Sequence, residues 1–161
     1  MLFRSCAGDA TTGEAFEAER IEILTQPRDA KKLREAVIDM RRTMAEGHPN
    51  KTDLFDLKHD RGGMVDIEFI VQYLVLAHAA QHPKLARNDG NIALLAYAGD
   101  MGLIDAKLAR QAGDAYREFR HLQHQLRLQA ATHARVPAES VAAHAGAART
   151  LWTAVFGSEA G

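Results

Sequence analysis

The feature that constrains the fold most is the run at residues 64–80, apolar on nearly every side and interrupted only by Asp66, Glu68, Gln72 and His78 among its more polar members. It falls short of the roughly 20 apolar residues that a membrane span requires. A helix apolar on most faces must be packed by neighbours all round. Ile67, Ile70, Val71, Leu74 and Val75 share one side and Phe69, Tyr73 and Leu76 lie on others. This helix is therefore expected at the centre of a bundle, running to about residue 81.

The rest of the chain supplies elements to surround it. Thr11, with Glu14 three residues on, has capping-box spacing and opens a helix to about residue 25, with Phe16, Ile21 and Ile23 among its apolar content. Pro27 ends it, and Asp29 caps a second helix in which Ala30, Leu33, Val37, Met40 and Met44 form one apolar stripe. That leaves Lys31, Lys32, Arg34, Arg41 and Arg42 for the other faces. Residues 51–63 form a connection with one short alternating stretch from Leu54 to Lys58, closed by Gly62-Gly63. Asn88 or Asp89 caps a short helix at 91–98. Asp105 opens a long one to about residue 133 along Leu108, Ala112, Ala115, Phe119, Leu122 and Leu126. Pro137 suits the first turn of a last helix carrying Val141, Ala145, Ala148, Trp152 and Val155. No repeat and no strand-turn-strand pattern is present, so the expected fold class is all-α: a bundle of about six helices with no sheet, one domain over residues 1–161.

Twenty Lys and Arg against twenty-one Asp and Glu leave a formal charge of −1, so no global basic field is available for nucleic acid or an anionic membrane. The single cysteine, Cys6, excludes an internal disulfide and a thiolate metal cluster, which suits a reducing cytosol. The opening Met-Leu-Phe-Arg is too short and too soon polar for a signal peptide. A cytoplasmic protein without nucleic-acid or membrane partners is expected.

Chemistry concentrates between Phe55 and Phe69, where Lys58, Arg61, Gly62, Gly63, Asp66 and Glu68 surround the entry to the apolar helix. Paired glycines allow positive φ or a close approach, and a helix start offers free N–H donors with a partial positive charge, a place for an anion such as phosphate. The same residues also make a plain turn in which Asp66 and Glu68 complement the helix dipole. Those two carboxylates diverge by about 200° around a helix and cannot share one metal ion. His121 and His124 stand three apart, but Arg117, Arg120 and Arg127 flank them on a solvated face and no third ligand is in view. No phosphate-binding glycine loop, no His-Glu-x-x-His and no aspartate pair on an apolar strand occurs, so the chain has no catalytic constellation and no metal ligand set of its own.

The run Asp56-Leu57-Lys58-His59-Asp60-Arg61-Gly62-Gly63-Met64-Val65-Asp66-Ile67-Glu68-Phe69 resembles the region after the second nucleotidyltransferase core of bacterial glutamine synthetase adenylyltransferases. Met40-Arg41, His82-Pro83-Lys84-Leu85 and Asn91-Ile92-Ala93-Leu94-Leu95 extend the resemblance over about residues 15–128. It implies a protein of two halves, each a polymerase-beta-like core followed by a helical domain. The C-terminal half transfers AMP from ATP to a tyrosine of glutamine synthetase, and the N-terminal half removes it by phosphorolysis. The chain would be the C-terminal helical domain, with residues 1–10 the remnant of the upstream core. ATP and Mg2+ would serve the complete enzyme, its metal-binding aspartates lying upstream, and none is expected bound to this segment, which alone is expected to be inactive. Lys58, Arg61, Gly62, Gly63, Asp66 and Glu68 would border the nucleotide or hold the core, and Lys58, Arg61, Asp66 and Glu68 are expected to cluster on the face that meets the core. The partners implied are that core, glutamine synthetase and the PII signal protein. The alternative is an interaction module that docks glutamine synthetase or PII and touches no nucleotide.

Overall fold

The central helix is where the apolar run places it. In the computed structural model, which describes residues 9–158, α3 (Met64–His78) buries Met64, Val65, Asp66, Ile67, Ile70, Val71, Leu74 and Val75. The other helices are α1 (Ala10–Leu24), α2 (Ala30–Gly47), α4 (Asn91–Asp100), α5 (Ala106–Leu128) and α6 (Ala142–Phe156). The closest packing joins α4 to α5 and α5 to α6, and α3 touches α2, α4, α5 and α6. Trp152, Phe119 and Phe156 are the largest side chains sealed in this core. No helix among the described residues is long and apolar enough to cross a membrane.

The fold is predominantly all-α, with one small addition. The alternating stretch noted in the connection is a strand, β1 (Leu54–Asp56), paired antiparallel with β2 (Arg135–Pro137) in the register Leu54–Pro137, Phe55–Val136, Asp56–Arg135. Two three-residue strands carry too little pattern to register as a sheet in a sequence. What fixes the ribbon is tertiary: Phe55 packs on Phe119 with ring centroids 6.0 Å apart, and Asp56 meets Arg135 at 3.4 Å. Pro137 closes this strand and precedes a short 3-10 turn at Ala138–Val141 instead of opening the last helix.

Several local assignments shift for identifiable reasons. Asp9, not Thr11, caps α1, its carboxylate accepting from the Thr11 N–H at 2.7 Å. Asp29 and Asp105 cap α2 and α5 through the N–H groups two and three residues on. Gly90, rather than Asn88 or Asp89, stands at the cap position of α4. α1 has no buried residue and leaves Phe16, Ile21 and Ile23 exposed. On α2 the buried stripe is rotated: Met40 is 57% exposed while Arg41, assigned to an outer face, is 6% exposed. The reason is a charge partner on α3. Of the expected remnant at residues 1–10, residues 1–8 lie outside the described residues, and Asp9 and Ala10 begin α1.

Candidate functional site at the start of the central helix

The turn before α3 is built from its own backbone. Asp56 accepts from the N–H groups of Lys58 and His59, both at 3.0 Å. Asp60 accepts from the Asp56 N–H and the Asn50 amide, both at 2.8 Å. The carbonyls of Leu57 and Lys58 then receive the first N–H groups of α3, Met64 at 2.9 Å and Val65 at 3.1 Å. The donors that a helix start would offer to an anion are thus occupied at these two positions by the loop itself. Gly62 has φ +87°, and a Cβ there would lie 2.5 Å from the Ala145 carbonyl oxygen of α6, so both dihedral and space demand glycine.

Asp66 locks this turn from below. One oxygen accepts from Arg41 Nε at 2.5 Å and the other from the Gly62 N–H at 2.6 Å, while Arg41 Nη2 donates to the His59 carbonyl at 2.8 Å. The ion pair is nearly dry, with side-chain exposures of 7% and 3%. Removing either partner would strand the other charge in the interior. His59 stacks on His48, centroids 4.1 Å apart and planes within 3°. Burial, then the neighbouring His48, lowers the His59 pKa. Burial alone would raise Asp56, but the His59 and Lys58 N–H donors, His59 and Arg135 outweigh it and hold the carboxyl below its ordinary range.

The six motif residues therefore separate. Gly62, Gly63 and Asp66 are buried in the turn. Arg61 is exposed, and its carbonyl accepts from Arg149 of α6 at 3.3 Å. Lys58 and Glu68 instead line a groove of about 680 Å³ between α3, the start of α4 and α5. Glu68 accepts from the Tyr116 hydroxyl at 2.8 Å, and burial together with Glu68 pushes the Tyr116 pKa up to about 12. Arg120, Gln123 and Arg127 complete the α5 wall. The sequence reading leaves Tyr116 and Gln123 unassigned and places Arg120 and Arg127 on a solvated face. The usable signal is spacing: Tyr116, Arg120, Gln123 and Arg127 recur at helical intervals down one side of α5. His121 lies against Gln125, nitrogens 3.0 Å apart.

The described residues gather no ligand set for a magnesium ion. Among the described residues no group of three or more His, Cys, Asp or Glu is placed to hold a metal. Asp66 is committed to Arg41 and Gly62.

A sequence-family model described as GlnD PII-uridylyltransferase matches residues 31–149. The chain belongs to this family. Its relatives carry a different reaction in their names. The bifunctional glutamine synthetase adenylyltransferase/adenylyl-removing enzyme of Burkholderia mallei (strain ATCC 23344) is 55% identical over 155 residues, 96% of this chain and 17% of that protein. Its counterpart in Bordetella bronchiseptica is 55% identical over 153 residues, 95% of the chain and 16% of the relative. That of Ralstonia nicotianae is 58% identical over 155 residues, 96% and 16% respectively. The family resemblance carried by the turn and central helix thus extends over almost the whole chain, and the chain spans about a sixth of the length of the relatives it matches.

Proposed function

We propose that the chain is the C-terminal helical domain of a cytoplasmic enzyme that transfers AMP from ATP to a tyrosine of glutamine synthetase and so regulates nitrogen assimilation. The observation that supports this is the 55% identity over 96% of the chain to bifunctional adenylyltransferase/adenylyl-removing enzymes. ATP and Mg2+ act at a nucleotidyltransferase core elsewhere in that protein, where metal ions stabilise the charge of the transferring phosphoryl group. This domain carries the core: the Arg41–Asp66 pair and the glycine turn hold the loop, and Lys58 and Arg61 reach outward from it. Lys58, Arg61, Gly62, Gly63, Asp66 and Glu68 keep the role of bordering the nucleotide or the core, the buried ones by shaping the loop that the exposed ones use.

The test is a transplant. The matching 155 residues of the Burkholderia mallei relative are replaced by this chain, and AMP incorporation into glutamine synthetase is measured. Retained transfer supports the reading, whereas a folded, soluble chimera without transfer overturns it. The chain alone is expected to transfer no AMP with ATP and magnesium, and turnover by it would overturn the assignment of the chemistry to the core.

A second reading, a module that docks glutamine synthetase or PII without touching nucleotide, is favoured by one observation. Phe16, Ile21, Ile23 and Met40 are large apolar side chains left exposed on α1 and α2. Binding of the chain to immobilised glutamine synthetase or PII, lost in Phe16→Ser with Ile23→Ser, is the outcome that reading requires.

A further inference from the structure

The groove between α3 and α5 gathers polar groups that the fold itself leaves without partners. Gln123 is only 8% exposed, yet its amide makes no hydrogen bond with any described residue. The amide is not sealed in: it lines the groove and is open to solvent there, so a ligand can reach it. The side chains of Lys58, Arg120 and Arg127 likewise form neither an ion pair nor a hydrogen bond with a described residue. Lys58, Gln123 and Arg127 line both this groove and a smaller cavity of about 180 Å³, so they stand together at the end the two share. Glu68, held to Tyr116 at 2.8 Å, Asn91 at the start of α4 and Arg120 belong to the groove and not to the smaller cavity.

The two ends differ in chemistry. The shared end gathers Lys58, Arg127 and the Gln123 amide, the Asp56 carboxylate of the smaller cavity being taken by the Lys58 and His59 N–H groups and by Arg135, and a guanidinium fork matches the oxygens of a phosphate. The other end offers an acceptor-only carboxylate, one of whose oxygens is already bound. Arg120 stands on the same side, and what sets this end apart is the second carboxylate oxygen, which suits a hydroxyl donor. At about 680 Å³ the groove has the size of a small-molecule site. We propose that it binds a phosphate ester of a hydroxylated carbon skeleton, the phosphate at Lys58, Gln123 and Arg127 and the hydroxyls at Glu68 and Asn91. This stands on the groove's geometry and not on AMP transfer, so either can fail without the other.

Calorimetric titration of this chain with ribose 5-phosphate, orthophosphate and ribose tests it. Ribose 5-phosphate is expected to bind on the order of tenfold more tightly than either part alone. Arg127→Gln, at an exposed position, should weaken ribose 5-phosphate and orthophosphate alike by about tenfold. Glu68→Gln should weaken ribose 5-phosphate and leave orthophosphate unweakened. AMP in place of ribose 5-phosphate separates the sources: tighter binding assigns the site to nucleoside phosphates, equal binding to sugar phosphates. No heat with ribose 5-phosphate at about millimolar concentration, or binding indifferent to Arg127→Gln in a variant that melts like the parent, overturns the proposal.

Discussion

Asp66 faces α2 from the first turn of α3, with Arg41 Nε and the Gly62 N–H occupying its two oxygens, whereas Glu68, two residues on, faces α5 and shares one oxygen with Tyr116 at the edge of an open groove. Both are carboxylates in the same short motif, yet one is spent on building the turn and the other remains available to a ligand. The difference follows from helix geometry, since residues two apart point in nearly opposite directions. A motif in sequence is therefore not one site. It is a structural half and an exposed half held together by the glycine turn.

The largest effect should come from breaking the structural half. Asp66→Ala leaves Arg41 buried without its counter-ion and the Gly62 N–H without an acceptor, and should cost about 3–5 kcal/mol of stability by denaturant unfolding. A loss under about 1 kcal/mol would place the pair among ordinary surface contacts and erase the contrast with Glu68. Gly62→Ala comes next. It forces a side chain into positive φ against the Ala145 carbonyl, and about 1–3 kcal/mol of destabilisation is expected.

The open half should respond differently. Tyr116→Phe removes the hydroxyl's bond and Glu68→Gln replaces its charged acceptor by a neutral one, each at a half-buried position, and each should cost only about 0.5–1.5 kcal/mol. Glu68→Gln should also let Tyr116 ionise more readily, moving its transition down from about 12, as read by ultraviolet titration and assigned by its absence in Tyr116→Phe. An unchanged tyrosine transition would show that burial alone sets it and that Glu68 is not held there.

How much of this was legible in the sequence divides along the same line. The central helix was, because Ile67, Ile70, Val71 and Leu74 repeat at helical spacing and a continuous apolar run has one physical outcome. The divergence of Asp66 and Glu68 was too, from periodicity alone. The inward turn of Arg41 was not, since a charged residue is assigned to solvent until its partner 25 positions away is known. Nor was the groove: its walls come from α3 and α5, and the Glu68–Tyr116 bond spans 48 residues. The ribbon escaped for the same reason, three residues per strand being too few to show a period.

The smallest and most local effect concerns acid, and it sharpens where the structural half ends. His59 lies in the turn stacked on His48, and burial followed by His48 lowers its pKa below the ordinary 6.5, with Lys58 and Arg41 acting in the same sense and Asp56 against it. The unfolded chain therefore takes up a proton at His59 before the folded chain does. Its contribution to stability is present above pH 6.5 and is lost as the pH falls from there to the lower folded value. Asp56 also has a lowered pKa, but its contribution is lost only further down, as the pH passes below its ordinary 3.8. Two windows thus exist, and the upper one reports the imidazoles. NMR titration of the ring protons should find His59 ionising below 6.5, and the fall in stability across that window should be smaller in His59→Leu than in the parent. His78, also lowered by burial and then by His82, accounts for the part that persists. A His59 ring titrating at or above 6.5 would mean that the turn admits solvent, and the structural half would then shrink to Asp66, Arg41 and the glycines.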